Sequence, residues 1–198
     1  MRAESSVALK EWAVLCALLG AGRHSVLLRK GGIREPRPAG APGTFAAEHR
    51  RFWLLPTYFH LREPGRAGDL SPEALALAPE VLAAAPPAGR LRVELFAEVE
   101  AVHEVRERAR LRPLAGAHGL GEACVDARFD YRTPGLVVLV LRTYRLSQAI
   151  ELADLAEYAG CVSWVHLAAG LAGDAEPVLT DDAHAARVAA VRAAVGVA

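Results

Sequence analysis

At 198 residues, 53% of them hydrophobic and 23% charged, the chain has ample material for a core and is not a globally disordered sequence. Its length favours one domain. The formal net charge is zero, which argues against a molecule coated by nucleic acid, and no apolar run approaches the ~20 residues that span a bilayer.

The opening MRAESSVALKEW lacks the basic start and continuous apolar segment of a secretory signal. Cys16, Cys124 and Cys161 are odd in number and widely spaced, and read as reduced thiols of a cytoplasmic protein with no membrane association. Charge is unevenly spread. Nine basic residues stand against three glutamates between positions 23 and 66, whereas seven acidic residues stand against Arg187 and Arg192 from position 147 onward. A locally basic lobe points to an anionic partner bound at one place, either nucleic acid or another phosphate-bearing ligand. Mutual neutralisation of the two lobes across the fold accounts for the same pattern. Lysine occurs only at positions 10 and 30 in an arginine-rich chain, as if those two sites need a compact ammonium rather than a planar fork.

Residues 8–19, the glycines at 20 and 22, and residues 25–30 fit a β-hairpin. A helix over 7–19 competes, because Leu9, Trp12, Cys16 and Leu19 also match helical spacing. Residues 31–44 hold three prolines and four glycines and read as a loop. Residues 52–56 form the next strand, ended by Pro56. Ser71-Pro72-Glu73 opens a helix that fades into an internal linker at 83–89. Residues 91–101 alternate as a half-buried strand, with Leu91, Val93, Leu95, Ala97, Val99 and Ala101 on one face. Short helices are predicted over 104–111 and 119–128. Residues 136–141 are an unbroken aliphatic run, read as a central strand buried on both faces and continuing into Arg142-Thr143-Tyr144-Arg145. A helix over 150–158, a strand over 161–167 and a last helix capped by Asp181-Asp182 complete the chain. The class is α+β: a single domain over 1–198, with a mainly antiparallel or mixed sheet and peripheral helices.

Arg29-Lys30-Gly31-Gly32, with Arg34, is the most suggestive constellation. Two cations at a strand end, followed by glycines that open the backbone N–H groups, suit a phosphate or carboxylate; solvated charges flanking a turn are the plain alternative. Thr57, Tyr58 and His60, with Arg142, Tyr144 and Trp164, are candidates to line a pocket beside that anion site. Glu35, Glu48, His49 and His60 are the groups a metal-dependent hydrolase or nuclease would need, although no HExxH-type spacing supports a metal site. Glu98-Val99-Glu100 is followed by alanine, so the acid-x-lysine core of restriction-type nucleases is not met. The residues name no cofactor.

Several strings then resemble one family: Leu9-Lys10-Glu11-Trp12, Leu28-Arg29-Lys30-Gly31-Gly32-Ile33 with Glu35, Glu48-His49, Pro56-Thr57, Leu141-Arg142-Thr143-Tyr144-Arg145-Leu146, and Tyr158-Ala159-Gly160-Cys161-Val162-Ser163-Trp164. In this order they resemble the bacterial domain-of-unknown-function family 1802. The resemblance implies no established activity. It does imply an association with restriction–modification, in which a restriction-type nuclease partner would do any cutting. The family pattern leads one to expect glutamate–histidine–glutamine after Pro56-Thr57-Tyr58, and this chain has Phe59-His60-Leu61. The leading expectation is an accessory protein that binds nucleic acid or a phosphate ligand through the basic lobe. A metal-dependent hydrolase using Glu35, Glu48 and His49, and a protein-interaction module docking through its acidic C-terminal part, are the alternatives.

Overall fold

The computed structural model describes residues 1–30, 45–63, 65–160 and 162–196. The loop read at 31–44 and Cys161 lie outside them.

Six strands form one mixed sheet: β1 (Arg2–Trp12), β2 (Val26–Arg29), β3 (Arg51–Thr57), β4 (Arg90–Val105), β5 (Leu136–Ala153) and β6 (Trp164–Pro177). Their order is β2-β5-β4-β3-β1-β6, with a further pairing of β5 to β6. That pairing closes β5, β4, β3, β1 and β6 into a five-stranded barrel, with β2 flanking it. Tyr144, Arg145 and Leu146 face Pro177, Glu176 and Ala175 across the seam. β1 and β3 run parallel, so their C-terminal ends lie at the same end of the molecule. The helices are α1 (Ala13–Gly20), α2 (Phe59–Arg62), α3 (Pro72–Ala83), α4 (Glu122–Asp130) and α5 (Asp181–Val195).

Closure produces two cores. Inside the barrel are residues from every ring strand, among them Ala3, Ala8, Trp53, Leu55, Val93, Phe96, Tyr144, Leu146, Val165 and Ala175. Trp53 packs edge-on against Phe96 at 4.8 Å and donates its indole N–H to the Ser5 carbonyl at 2.9 Å. Outside, α1, α3, α4 and α5 pack over β2, the first half of β5 and the outward faces of β1, β3 and β4.

β-bulges decide which residue enters which core. The β4–β5 register shifts between Val93 and Leu95. From the Val93–Ile150 pair to the Leu95–Arg145 pair β4 advances two residues and β5 five, and an odd slip of this kind exchanges faces until the next shift, after Val99. Val93 and Phe96 therefore point into the barrel, while Leu95, Ala97 and Val99 face the helices. The single solvated face expected for 91–101 is corrected accordingly: this strand is covered on both sides through its middle. A second shift, between Ser5 and Val7, similarly turns both Ala3 and Ala8 inward.

The hairpin expected from 8–30 is replaced by strand, helix and strand. β1 ends at Trp12, and the apolar octet AVLCALLG is α1, buried on nearly all sides. Alanine and leucine favour helix, and a helix that is apolar all round belongs in a core. The glycines end this helix rather than turning a hairpin: Gly22 takes φ +68° and its N–H reaches the Leu19 carbonyl at 3.1 Å. β2 pairs with Val137–Val140 of β5, not with β1.

Two further helices shift. Residues 104–111 contribute the end of β4 and a 3₁₀ segment, Arg108–Leu114, and residues 150–158 the end of β5 and a 3₁₀ turn, Ala156–Tyr158. α3 and α5 start where expected. Ser71 Oγ accepts from the Ala74 N–H, and it is Thr180, rather than Asp181-Asp182, that caps α5.

Candidate functional site

The ends of β1, β2 and β3 converge on a buried ion pair. Glu11, 2% exposed, accepts from Arg29 Nη1 at 2.8 Å with one oxygen and from the Trp12 N–H at 2.8 Å with the other. Arg29 also donates to Ser163 Oγ and lies 5.0 Å from the ring of Phe45. Thr57 Oγ1 donates to the Glu11 carbonyl at 3.0 Å. The guanidinium expected to receive an external anion is thus satisfied by the protein's own carboxylate and hydroxyl.

Both lysines are caged by carbonyls. Lys10 Nζ donates to the carbonyls of Tyr158 and Gly160, each at 2.8 Å. Lys30 Nζ donates to Phe129 at 3.2 Å, to Gly135 at 2.6 Å and to Thr133. A compact ammonium has three donors that fit a converging ring of oxygens, and a flat guanidinium does not. The ring closes the C-terminal end of α4, where a cation also suits the helix dipole. Burial lowers the Lys30 pKa, an effect partly offset by the Asp130 carboxylate. Lys30→Met should cost about 2 kcal/mol, or about 4–8 °C in Tm. Lys30→Arg should recover less than half of that in thermal melts; full recovery by arginine would mean the ring is not selective for an ammonium. Gly31, Gly32, Arg34 and Glu35 lie outside the described residues.

An open cleft of about 370 Å³ lies beside this network, lined by Trp12, Lys30, His60, Arg66, Asp69, Arg128 and Tyr131 among others. The rings form a series. Phe59 meets His60 at 5.4 Å, and His60 lies on Trp12 at 4.8 Å. From the other side, the Arg128 guanidinium stands 5.4 Å from the Trp12 ring and donates to the Leu28 carbonyl at 3.1 Å. Phe59 is 66% exposed and Tyr131 42%, the latter with the Arg132 guanidinium 5.0 Å from its ring, so both present ring surface to solvent. Arg66 is held by Glu63 at 3.0 Å and Asp69 at 2.8 Å in exposed pairs that are cheap to exchange.

A second hollow of about 240 Å³ lies on the other side of the turn after β3, lined by Cys16, Tyr58, Arg92, Glu94 and Arg145. Burial, with smaller contributions from Cys16 and Glu94, pushes the Tyr58 hydroxyl up. Tyr58 and His60 therefore serve different hollows.

The remaining candidates are dispersed. Arg142 pairs with Asp181, and Tyr144 donates to Glu98 at 2.9 Å with its ring inside the barrel wall. Burial, followed by the Glu98 carboxylate, raises the Tyr144 pKa. Tyr144 sits nine residues along β5 from Gly135, roughly 25–30 Å of strand, and so does not join Lys30. It could not line a common pocket, because β5 runs on to Ala153 instead of ending near 145. Glu48 is exposed, and His49 packs edge-on against Trp164 at 5.0 Å and His166 at 5.8 Å. The Trp164 indole donates to the Ala46 carbonyl at 3.0 Å. His60 instead keeps Trp12 and, at 3.4 Å, Glu63 as neighbours. Among the described residues no group of three or more His, Cys, Asp or Glu side chains is placed to hold a metal ion.

Trp12, Phe59, Arg128 and Tyr131 escaped the sequence reading as site residues, whereas Arg66 belongs to the basic lobe it singled out. Only the aromatic doublet Tyr58-Phe59 and the KEW string hinted at them; Arg128 and Tyr131 reach the cleft through the placement of α4.

No helix among the described residues is long and apolar enough to cross a membrane. No curated protein matches the chain. Among solved structures, an ASCH protein from Zymomonas mobilis is similar at 15% identity and TM-score 0.45, over 92% of each chain. A serine-to-alanine variant of the Zymomonas mobilis protein is similar at the same identity and TM-score, over 92% of this chain and 94% of that one. The sequence profile of the domain of unknown function DUF1802 matches residues 8–190, and the chain belongs to that family.

Proposed function

We propose that the chain binds single-stranded nucleic acid in the cleft between α2 and α4. One observation carries this reading: aromatic rings stand beside guanidinium groups at an open hollow, with Tyr131, Arg66 and Arg128 lining it and the exposed ring of Phe59 adjoining it through His60. Bases of any identity stack on such rings while cations follow the phosphates. Arg132, 5.0 Å from the Tyr131 ring, extends the cationic margin. Lys30 lines this cleft through its carbonyl-bound ammonium, and Arg29 stays paired with Glu11 and makes no contact with the ligand. In a restriction–modification setting the cleft would hold a strand for a separate nuclease. The rival hydrolase reading draws no support from His49 and His60, which keep different neighbours.

Fluorescence anisotropy with a labelled oligothymidylate of about twelve nucleotides tests the proposal. Binding should weaken steeply with salt, with a log–log slope near −0.7 per phosphate contacted. Phe59→Ala and Tyr131→Ala should each weaken it roughly 5- to 100-fold without lowering Tm, because both rings are exposed. Absence of binding at low salt, or binding unaffected by both substitutions, would overturn it.

A further inference from the structure

We infer that one buried water molecule is bound between the α1–β2 turn, β5 and α5, held by His24, Ser25, Thr143 and His184. Among the described residues five buried side-chain nitrogen or oxygen atoms lack a hydrogen-bond partner. Four of these residues line the same small cavity: the unpartnered atoms are His24 Nδ1, Ser25 Oγ, Thr143 Oγ1 and His184 Nε2. All four side chains are deeply buried, at 4%, 2%, 7% and 5% exposed. Scattered through a core, such atoms would be separate defects. Gathered around one hollow, they describe a receptor for something polar.

The size and hydrogen-bonding pattern identify the occupant. The space open to a water-sized sphere is about 10 Å³, room for a single water and nothing larger. His24 Nε2 lies 3.2 Å from Glu73 Oε2. A carboxylate only accepts, so Nε2 carries the proton and Nδ1 presents a lone pair that needs a donor. The two hydroxyls can donate or accept as required. His184 Nε2 is 3.6 Å from Glu100 Oε2, beyond hydrogen-bond reach, and so remains available to the cavity. Water, with two donors and two acceptors, answers this set. A metal ion does not: two hydroxyls are poor partners for it, and Arg142 lines the same hollow with a positive charge. The water joins α5 to β5 and to the entrance of β2. Through His24 the linkage continues to Glu73 of α3.

Crystallographic maps at a resolution that shows solvent, with elemental analysis of the purified chain for metals, test the assignment. The expected result is one isolated peak about 2.7–3.2 Å from the four polar atoms, and no bound metal. Thr143→Val, which exchanges the hydroxyl for a methyl group of similar size, should lower Tm by about 2–4 °C, whereas Thr143→Ser should restore most of it. A dry cavity, a stoichiometric metal ion, or a Thr143→Val chain at least as stable as the parent each overturns the inference.

Discussion

Arg29→Met is expected to cost about 3–5 kcal/mol of folding stability, because it strands the Glu11 carboxylate in the interior. Glu11 is 2% exposed and the Arg29 side chain 12%, so neither charge can turn to solvent without opening the junction of β1, β2 and the segment before β6. Glu11→Leu alone should be comparably damaging, since it also removes the acceptor for the Trp12 N–H at the start of α1. The double variant Glu11→Leu/Arg29→Met should recover a large part of the loss, as paired charges exchanged together for apolar groups of similar volume commonly do. Urea unfolding of the four chains closes this cycle. A cost below about 1 kcal/mol for either single change would show that the pair is solvated in solution.

Acid should destabilise the fold well above the carboxylate range. Burial, helped by the nearby charges of His24 and Arg128, depresses the His118 pKa to about 4. The geometry agrees: His118 is 3% exposed, and its Nδ1 accepts the Leu120 N–H at 3.1 Å, so protonation there breaks the bond it already makes. The folded value lies below the unfolded one, so the unfolded chain takes up the proton first. The stabilising contribution is complete above about pH 6.5 and is lost as pH falls from there toward 4, amounting to about 3 kcal/mol. His24, also lowered chiefly by burial, adds in the same direction. Chemical denaturation at steps between pH 7 and 4.5 measures the slope. His118→Asn, which keeps an acceptor near the Nδ1 position and cannot titrate, should flatten it; an unchanged slope would assign the effect elsewhere.

Patterns confined to a short window were legible in the sequence. β3, the aliphatic half of β5, α3 and α5 all announce themselves through apolar runs, a serine–proline cap or helical spacing. α1 did not, because eight consecutive apolar residues carry no periodicity by which to choose between helix and strand. The faces of β4 were hidden by a bulge that leaves no mark on the alternation. Barrel closure was equally hidden, since it rests on pairing between residues 144–146 and 175–177. The partners of the two cations were hidden for a related reason. Arg29 and Lys30 do stand at a strand end, but their partners come from Glu11, Ser163 and carbonyls a hundred residues onward. Local spacing shows where a charge sits and is silent on what answers it.

The two caged lysines also limit how this protein can be modified. Acylation requires an amine with its nitrogen lone pair exposed, and in the native chain both ε-amines are protonated donors turned toward backbone oxygens. Neutralising either one would replace an attraction for those carbonyls with a bulky amide. Acetyl transfer to these positions is therefore coupled to local opening of the chain, and a label on either ε-amine reports on unfolding before it reports on surface.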